Sequence, residues 1–246
     1  MTQSVRQSPK VAAALAIALL VTAFGGAAGA DTPLHSSGSP ATLQAGTAAA
    51  TSNFAGYVFP GGASVTATFK IPKVTCPTTG ISSGAIGTGL NGGSAGASEF
   101  LQFQCGFGSL TYFGYSRFGP IVGGGGPHNW TFSVSAGDTI TSQITTPSTG
   151  SISIVVHDVT KGLTDTDAGA CASCSGSSGS VAVNGNSPIP NFKSVKWSGV
   201  GVDGMPLASM SPTAYVQVNA LQKVLISTSK IAKSGTTFTN RFVSAS

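Results

Sequence analysis

Charge is what this chain has least of. Asp, Glu, Lys and Arg make up 8% of its 246 residues, against about a quarter in ordinary soluble domains. Acids are scarcer than bases, seven against twelve, for a formal net charge of +5. The surface must therefore rest on Ser, Thr, Gly and Asn rather than on ion pairs. The Lys and Arg residues are scattered along the sequence and form no cluster. Nucleic-acid binders carry a basic stripe with interleaved aromatics, so that partner class is excluded. His35, His128 and His157 are the only histidines and lie far apart. They match no ligand spacing, so no metal and no cofactor are expected.

Long apolar runs are also missing. The longest is Val11–Phe24, 14 residues, short of the roughly 20 that a bilayer-spanning helix needs. Arg6 and Lys10 precede it, and Ala28-Gly29-Ala30 follows. This charged, apolar, small-residue order is that of a secretory signal cleaved near Ala30. The expectation is export of residues 31–246, with a flexible leader over 31–50, one domain over 51–246 and no membrane span. Removing Arg6 and Lys10 leaves ten bases against seven acids, a net of +3. The four cysteines, Cys76, Cys105, Cys171 and Cys174, are an even set in an exported chain, which favours disulfides. Proximity suggests Cys76–Cys105 and Cys171–Cys174. Nothing in the sequence speaks to oligomeric state.

What is abundant is alternation. Ser64–Ile71, Trp130–Val134, Ser151–Val155 and Tyr215–Val218 alternate polar and apolar with period two, as half-buried strands do. Gly-, Pro-, Asn- and Asp-rich turns separate them, among them Pro60-Gly-Gly62, Ala136-Gly-Asp138 and Asn184-Gly-Asn186. About a dozen such segments and no strong helix argue for an all-β, antiparallel sandwich of two large sheets. A short helix over 220–224 is the one helical expectation.

Candidates for chemistry are few. No Gly-x-Ser-x-Gly elbow occurs. His157 and Asp158 are sequence neighbours, so on a strand they face opposite ways. Asp138 and Asp203 sit in Gly-containing turns and read as turn formers. Glu99, the only glutamate, opens the strand Glu99-Phe-Leu-Gln-Phe-Gln-Cys105. Gln102 and Gln104 share one face of it with Phe100, while Glu99 shares the other with Leu101 and Phe103. Two amides on one strand face can bind an extended peptide or a sugar.

Thr51-Ser-Asn-Phe-Ala-Gly-Tyr57 and Ser64-Val-Thr-Ala-Thr-Phe-Lys-Ile-Pro-Lys-Val-Thr-Cys76 resemble the opening of the glutamic peptidases, or eqolisins, in their bacterial form. The resemblance runs on through Gly89-Leu-Asn-Gly92, Leu101-Gln102, Tyr112 to Tyr115, Ala136–Ile140 and Pro190–Trp197. It implies a two-sheet β-sandwich and peptide hydrolysis at acid pH by a Glu–Gln pair. The glutamate would activate water and the glutamine would steady the oxyanion.

The family glutamine corresponds to Gln102. The family glutamate falls on Gly179, in Ser178-Gly-Ser-Val-Ala-Val183. Other groove positions depart too: Gly87 and Asn91 stand for a Trp and an Asp, and Gly114 and Ser116 for a Trp and a Glu. A glutamine alone cannot deprotonate water. The resemblance thus implies a degenerate peptidase whose groove, with Asn91, Gln104, Tyr115 and Ser116, binds extended peptide or glycan. Two alternatives stand beside it. One is an active acid endopeptidase with a substitute carboxylate, Asp165 or Asp167, Glu99 being poorer on facing. The other is a structural surface protein without a groove function.

Overall fold

The computed structural model describes residues 48–246 except 93–94, 121–125, 147–149, 172–173, 175, 177 and 187. The expected signal segment 1–30 and most of the leader lie outside the described residues. In chain order the strands begin with β1 (Ala49–Thr51), β2 (Ala55–Pro60), β3 (Ser64–Lys70), β4 (Ile81–Asn91) and β5 (Ala95–Gly106). β6 (Ser109–Pro120), β7 (His128–Asn129), β8 (Thr139–Thr145), β9 (Ser151–Asp158) and β10 (Leu163–Ala170) follow. The last are β11 (Ser178–Asn186), β12 (Ser194–Val202), β13 (Met205–Pro206), β14 (Thr213–Val218), β15 (Val224–Thr228) and β16 (Phe238–Phe242). Among the described residues the only helix is one 3-10 turn, Leu207–Met210, and no helix is long and apolar enough to cross a membrane.

Hydrogen bonding joins the strands in the order β10-β9-β8-β3-β12-β16-β15-β14-β2-β11-β4-β5-β6-β7. The ribbon folds back on itself, so that the inner faces of β4, β5 and β6 lie against β8 and β10. Two contacts fix this packing: Thr88 Oγ1 to Ser142 Oγ, 2.9 Å, and Ser116 Oγ donating to Asp167 Oδ2, 3.0 Å. Alternation explains the layering. Along β3 and β5 every second side chain is buried, because a strand with one wet face must bury the other. The core holds Phe59, Phe69, Phe103, Phe192, Trp197 and Phe238, each at most 2% exposed. Trp197 stacks on Phe238 at 5.8 Å, and its indole N–H donates to Asn240 Oδ1 at 2.7 Å. That bond satisfies a polar atom that burial would otherwise penalise.

Both disulfides form as proximity suggests, Cys76–Cys105 and Cys171–Cys174. Two local expectations are corrected. Residues 130–134 alternate but are not a strand; Trp130 instead folds onto β6, where a Cβ on Gly114 would lie 1.9 Å from the indole ring. No helix forms over 220–224: residues 220–221 are a turn and Val224 opens β15. The Asn219 side chain accepts the N–H groups of Leu221 and Lys223, both at 3.0 Å, and Gln222 takes a left-handed φ of 60°.

A polar seam runs through this apolar interior. Glu99 is fully buried; Thr88 Oγ1 donates to its Oε1 at 3.2 Å, while Oε2 has no partner among the described residues. Ser116, Asp167, Asp165 and His128 continue the seam toward the rim. His128 Nε2 lies 2.9 Å from Asp165 Oδ2, and Thr131 Oγ1 donates to Asp165 Oδ1 at 2.8 Å. Burial pushes the Glu99 carboxyl up from 4.5 to about 7, the hydroxyls of Ser142 and Thr88 offsetting only part of it.

Between those two values the folded protein keeps a proton that the unfolded chain releases, so stability falls as pH rises across that window. The loss is on the order of 3 kcal/mol. Thermal unfolding followed by circular dichroism from about pH 4 to about pH 8 should show the midpoint falling through this range. Glu99→Gln, an amide that mimics the protonated acid, should flatten the profile and raise the midpoint at the alkaline end.

Candidate functional site

The candidate site is the outward face of the half-sheet β14-β2-β11-β4-β5-β6. Regular antiparallel registers fix which side chains share it. Gln102 lies between Phe113 of β6 and Ala85 of β4, and Ala85 in turn pairs with Asn184 of β11. One row along, Gln104 lies between Thr111 and Ser83, and Ser83 pairs with Asn186. Four carboxamides therefore mark the corners of a patch about 10 Å by 7 Å, with Ala85 and Ser83 between them. Among the described residues nothing hydrogen-bonds the Gln102 amide, which keeps a donor and an acceptor for a ligand. Asn184 accepts Ala85 N–H at 3.0 Å, and Asn186 donates to Ser83 Oγ at 3.4 Å.

Beside the amides runs a row of small residues walled by aromatics. Tyr215, Gly56, Ala182, Gly87, Phe100 and Tyr115 are successive cross-strand neighbours. Phe100 and Tyr115 sit 5.3 Å apart, and Phe113 stacks beside Tyr115 at 6.3 Å. Phe54 meets Tyr215 at 5.3 Å on the far side. The Phe100 ring covers Gly87, where a Cβ would lie 2.6 Å from it. Phe100 thus occupies the space above a position where the resembling family carries Trp. Burial raises the Tyr115 hydroxyl above its ordinary range. Across six strands the row measures roughly 24 Å, the length of about seven extended residues.

The expected site residues divide between the two faces. Gln104 and Tyr115 stand on the Gln102 face next to it. Asn91 shares the face but lies at the far end of β4, paired with Gly96. Ser116 turns inward; it is 1% exposed and bonded to Asp167, so it does not meet Gln102. Gly179 also faces inward, paired with Leu90. A Cβ there would lie 2.2 Å from the Phe59 ring.

The even-numbered residues of β11 face outward with Gln102: Ser178, Ser180, Ala182, Asn184 and Asn186. None is an acid, and β11 contains no carboxylate in any frame. Asn184-Gly-Asn186 reads as a turn by composition, yet it is strand, and that composition hid two of the four amides.

All six carboxylates of the described residues are engaged elsewhere. Glu99 lies on the inner face. Asp138 and Asp158 contact Lys161, at 2.6 Å and 3.5 Å. Asp165 and Asp167 hold His128 and Ser116 inside the seam. Asp203 accepts the N–H groups of Ala63 and Ser64 at 3.2 Å and 2.7 Å.

Comparison with known proteins agrees with this architecture. Residues 52–240 match the Peptidase A4 family, and the chain belongs to that family. Scytalido-glutamic peptidase, solved with a peptide-based transition-state analogue, superposes with a TM-score of 0.63 at 18% identity, over 78% of this chain and 98% of that one. SCP-B, an eqolisin solved with the tripeptide Ala-Ile-His, gives 0.59 at 16% identity over 78% and 98%. Aspergilloglutamic peptidase from Aspergillus niger gives 0.53 at 18% identity over 65% and 99%. No curated protein sequence matches the chain.

Packing at Gly179 is directly testable. Gly179→Ala puts a methyl against Phe59 and Leu90 and should cost about 1–3 kcal/mol of overpacking. For a domain of this size that is a drop of several degrees in melting temperature, roughly 2–4 °C per kcal/mol. Ala182→Gly, on the outward face of the same strand, should cost less than Gly179→Ala in the same measurement.

Proposed function

We propose that the protein is exported and binds an extended peptide along the Gln102 face without hydrolysing it. A single observation carries the reading: each described carboxylate is held by other partners or faces the interior, which leaves Gln102 without a base. Water must lose a proton to attack a peptide carbonyl, and an amide cannot take it. Glu99 gives no substitute, since it lies on the opposite face of the same strand. Asp165 and Asp167, the other candidates, turn into the seam between the sheets.

Binding is favoured over a purely structural role by the aromatic walls and the free amide. Flat aromatic rings bracket a floor of Gly and Ala, and amide groups stand where a peptide backbone would need donors and acceptors. Carboxamides match the alternating N–H and C=O of an extended chain, and aromatic walls supply apolar contact. The two disulfides support export, since such bonds persist in oxidising compartments.

Incubation with a denatured protein at about pH 2–5 should release no fragments. Cleavage that Gln102→Ala abolishes would refute the non-catalytic reading. Fluorescence titration with uncharged peptides of about seven residues should show saturable binding. Gln102→Ala and Tyr115→Ala should each weaken it, by about three- to tenfold for the amide's lost hydrogen bonds.

A further inference from the structure

Lysine and arginine are dispersed along the sequence, and the sheet register gathers them. On β3 and β12, Phe69 pairs with Trp197 and both point into the core. Their neighbours Lys70 and Lys196 therefore stand side by side on the outer face, both exposed. Lys196 also pairs with Thr239 of β16, and Arg241, two residues along, pairs with Ser194. Lys193 precedes Ser194, and its carbonyl accepts Phe242 N–H at 3.0 Å. Three exposed cations, Lys70, Lys196 and Arg241, thus share one continuous outer face of three adjacent strands.

Like charges set opposite one another weaken a sheet, and no acid among the described residues forms an ion pair with these. Among the described residues the ion pairs are those of Lys161 and His128, and the six carboxylates have the partners named above. The patch is a charge that the fold leaves uncompensated. Around it lies a field of hydroxyls on β3, β8 and β12: Thr66, Thr68, Thr139, Thr141 and Ser198. Thr68 and Thr141 are in mutual contact at 3.0 Å. The rings of these strands, Phe69, Trp197 and Phe238, are buried, so the face offers no platform for stacking bases.

We infer that this outer face docks an acidic, carboxylate-bearing polysaccharide. Lys70, Lys196 and Arg241 would meet its carboxylates, Arg241 with its planar fork. The threonine and serine hydroxyls would exchange hydrogen bonds with sugar hydroxyls. The site is separate from the Gln102 face and stands whether or not that face binds peptide.

Polygalacturonate immobilised on a biosensor is the probe. The protein should bind it at about 50 mM salt and progressively less as screening grows. The charge-reversed variant K70E/K196E/R241E should lose at least about a hundredfold in affinity. The control R117E/K223E/K233E, equal in charge change but outside the three strands of the patch, should stay within about threefold. A neutral variant, K70Q/K196Q/R241Q, with an unchanged melting temperature guards against misfolding and should also lose affinity. Absence of binding, equal loss in both reversed variants, or retained affinity in the Gln variant would overturn the inference. So would tighter binding to duplex DNA or to phosphatidylserine vesicles than to polygalacturonate.

Discussion

Pairing of β5 with β4 and β6 runs without a bulge from the start of β5 to its end, through Glu99, Gln102 and Cys105. In such a ladder each one-residue step reverses the direction of the side chain. Glu99 and Gln102 are three residues apart and therefore point to opposite faces of one sheet. No rotamer change brings them together, because the sheet itself lies between them. The division of the protein into a ligand-facing side and a sealed side follows from this register. So does the partition of its few polar residues, with amides outside and carboxylates inside.

Sealing Glu99 inside has consequences beyond β5. A buried carboxylate costs free energy unless it is neutral or well paired. Two hydroxyls near it do not suffice, so its proton is held to about neutral pH. Ser116, Asp165, Asp167 and His128 extend the polar seam to the rim and draw two further acids off the surface. Lys161 holds Asp138 and Asp158. In a chain with so few acids this leaves the outer faces nearly free of negative charge. The unpaired cations of β3, β12 and β16 are the counterpart of that burial.

Much of the fold was legible because period two is a direct report of a half-buried strand. Ser64–Ile71 and Ser151–Val155 alternate in sequence and do so in the sheet, and facing within β5 could be read without a structure. Trp130–Val134 shows the limit: its alternation is genuine, yet the indole finds a better partner in the bare backbone of Gly114. Asn184-Gly-Asn186 shows another. Its composition is that of a turn, and pairing with β4 on one side, with the Gln217 side chain bonded to the Gly185 backbone, overrides the local preference. The resemblance places Ser116 in the groove, whereas its facing depends on the β5–β6 register, which is non-local. The cationic patch was invisible for the same reason: Lys70, Lys196 and Arg241 are remote in sequence and meet only through strand order.

Facing also limits how chemistry could return to this scaffold. A carboxylate at residue 179 would enter the space of Phe59 and Leu90 and point away from Gln102. The outward positions of β11 are even-numbered, and Asn184 is the one that shares a cross-strand row with Gln102, one strand removed. Asparagine differs from aspartate there by a single group, so the shape of the site could be kept while its acid–base capacity changed. The separation between β11 and β5, about 10 Å, is too long for direct contact between two short side chains. A water or a peptide carbonyl held over Ala85 would have to bridge them. An acid on that row therefore meets the requirement of facing, while reach, set by the strand that intervenes, becomes the remaining constraint.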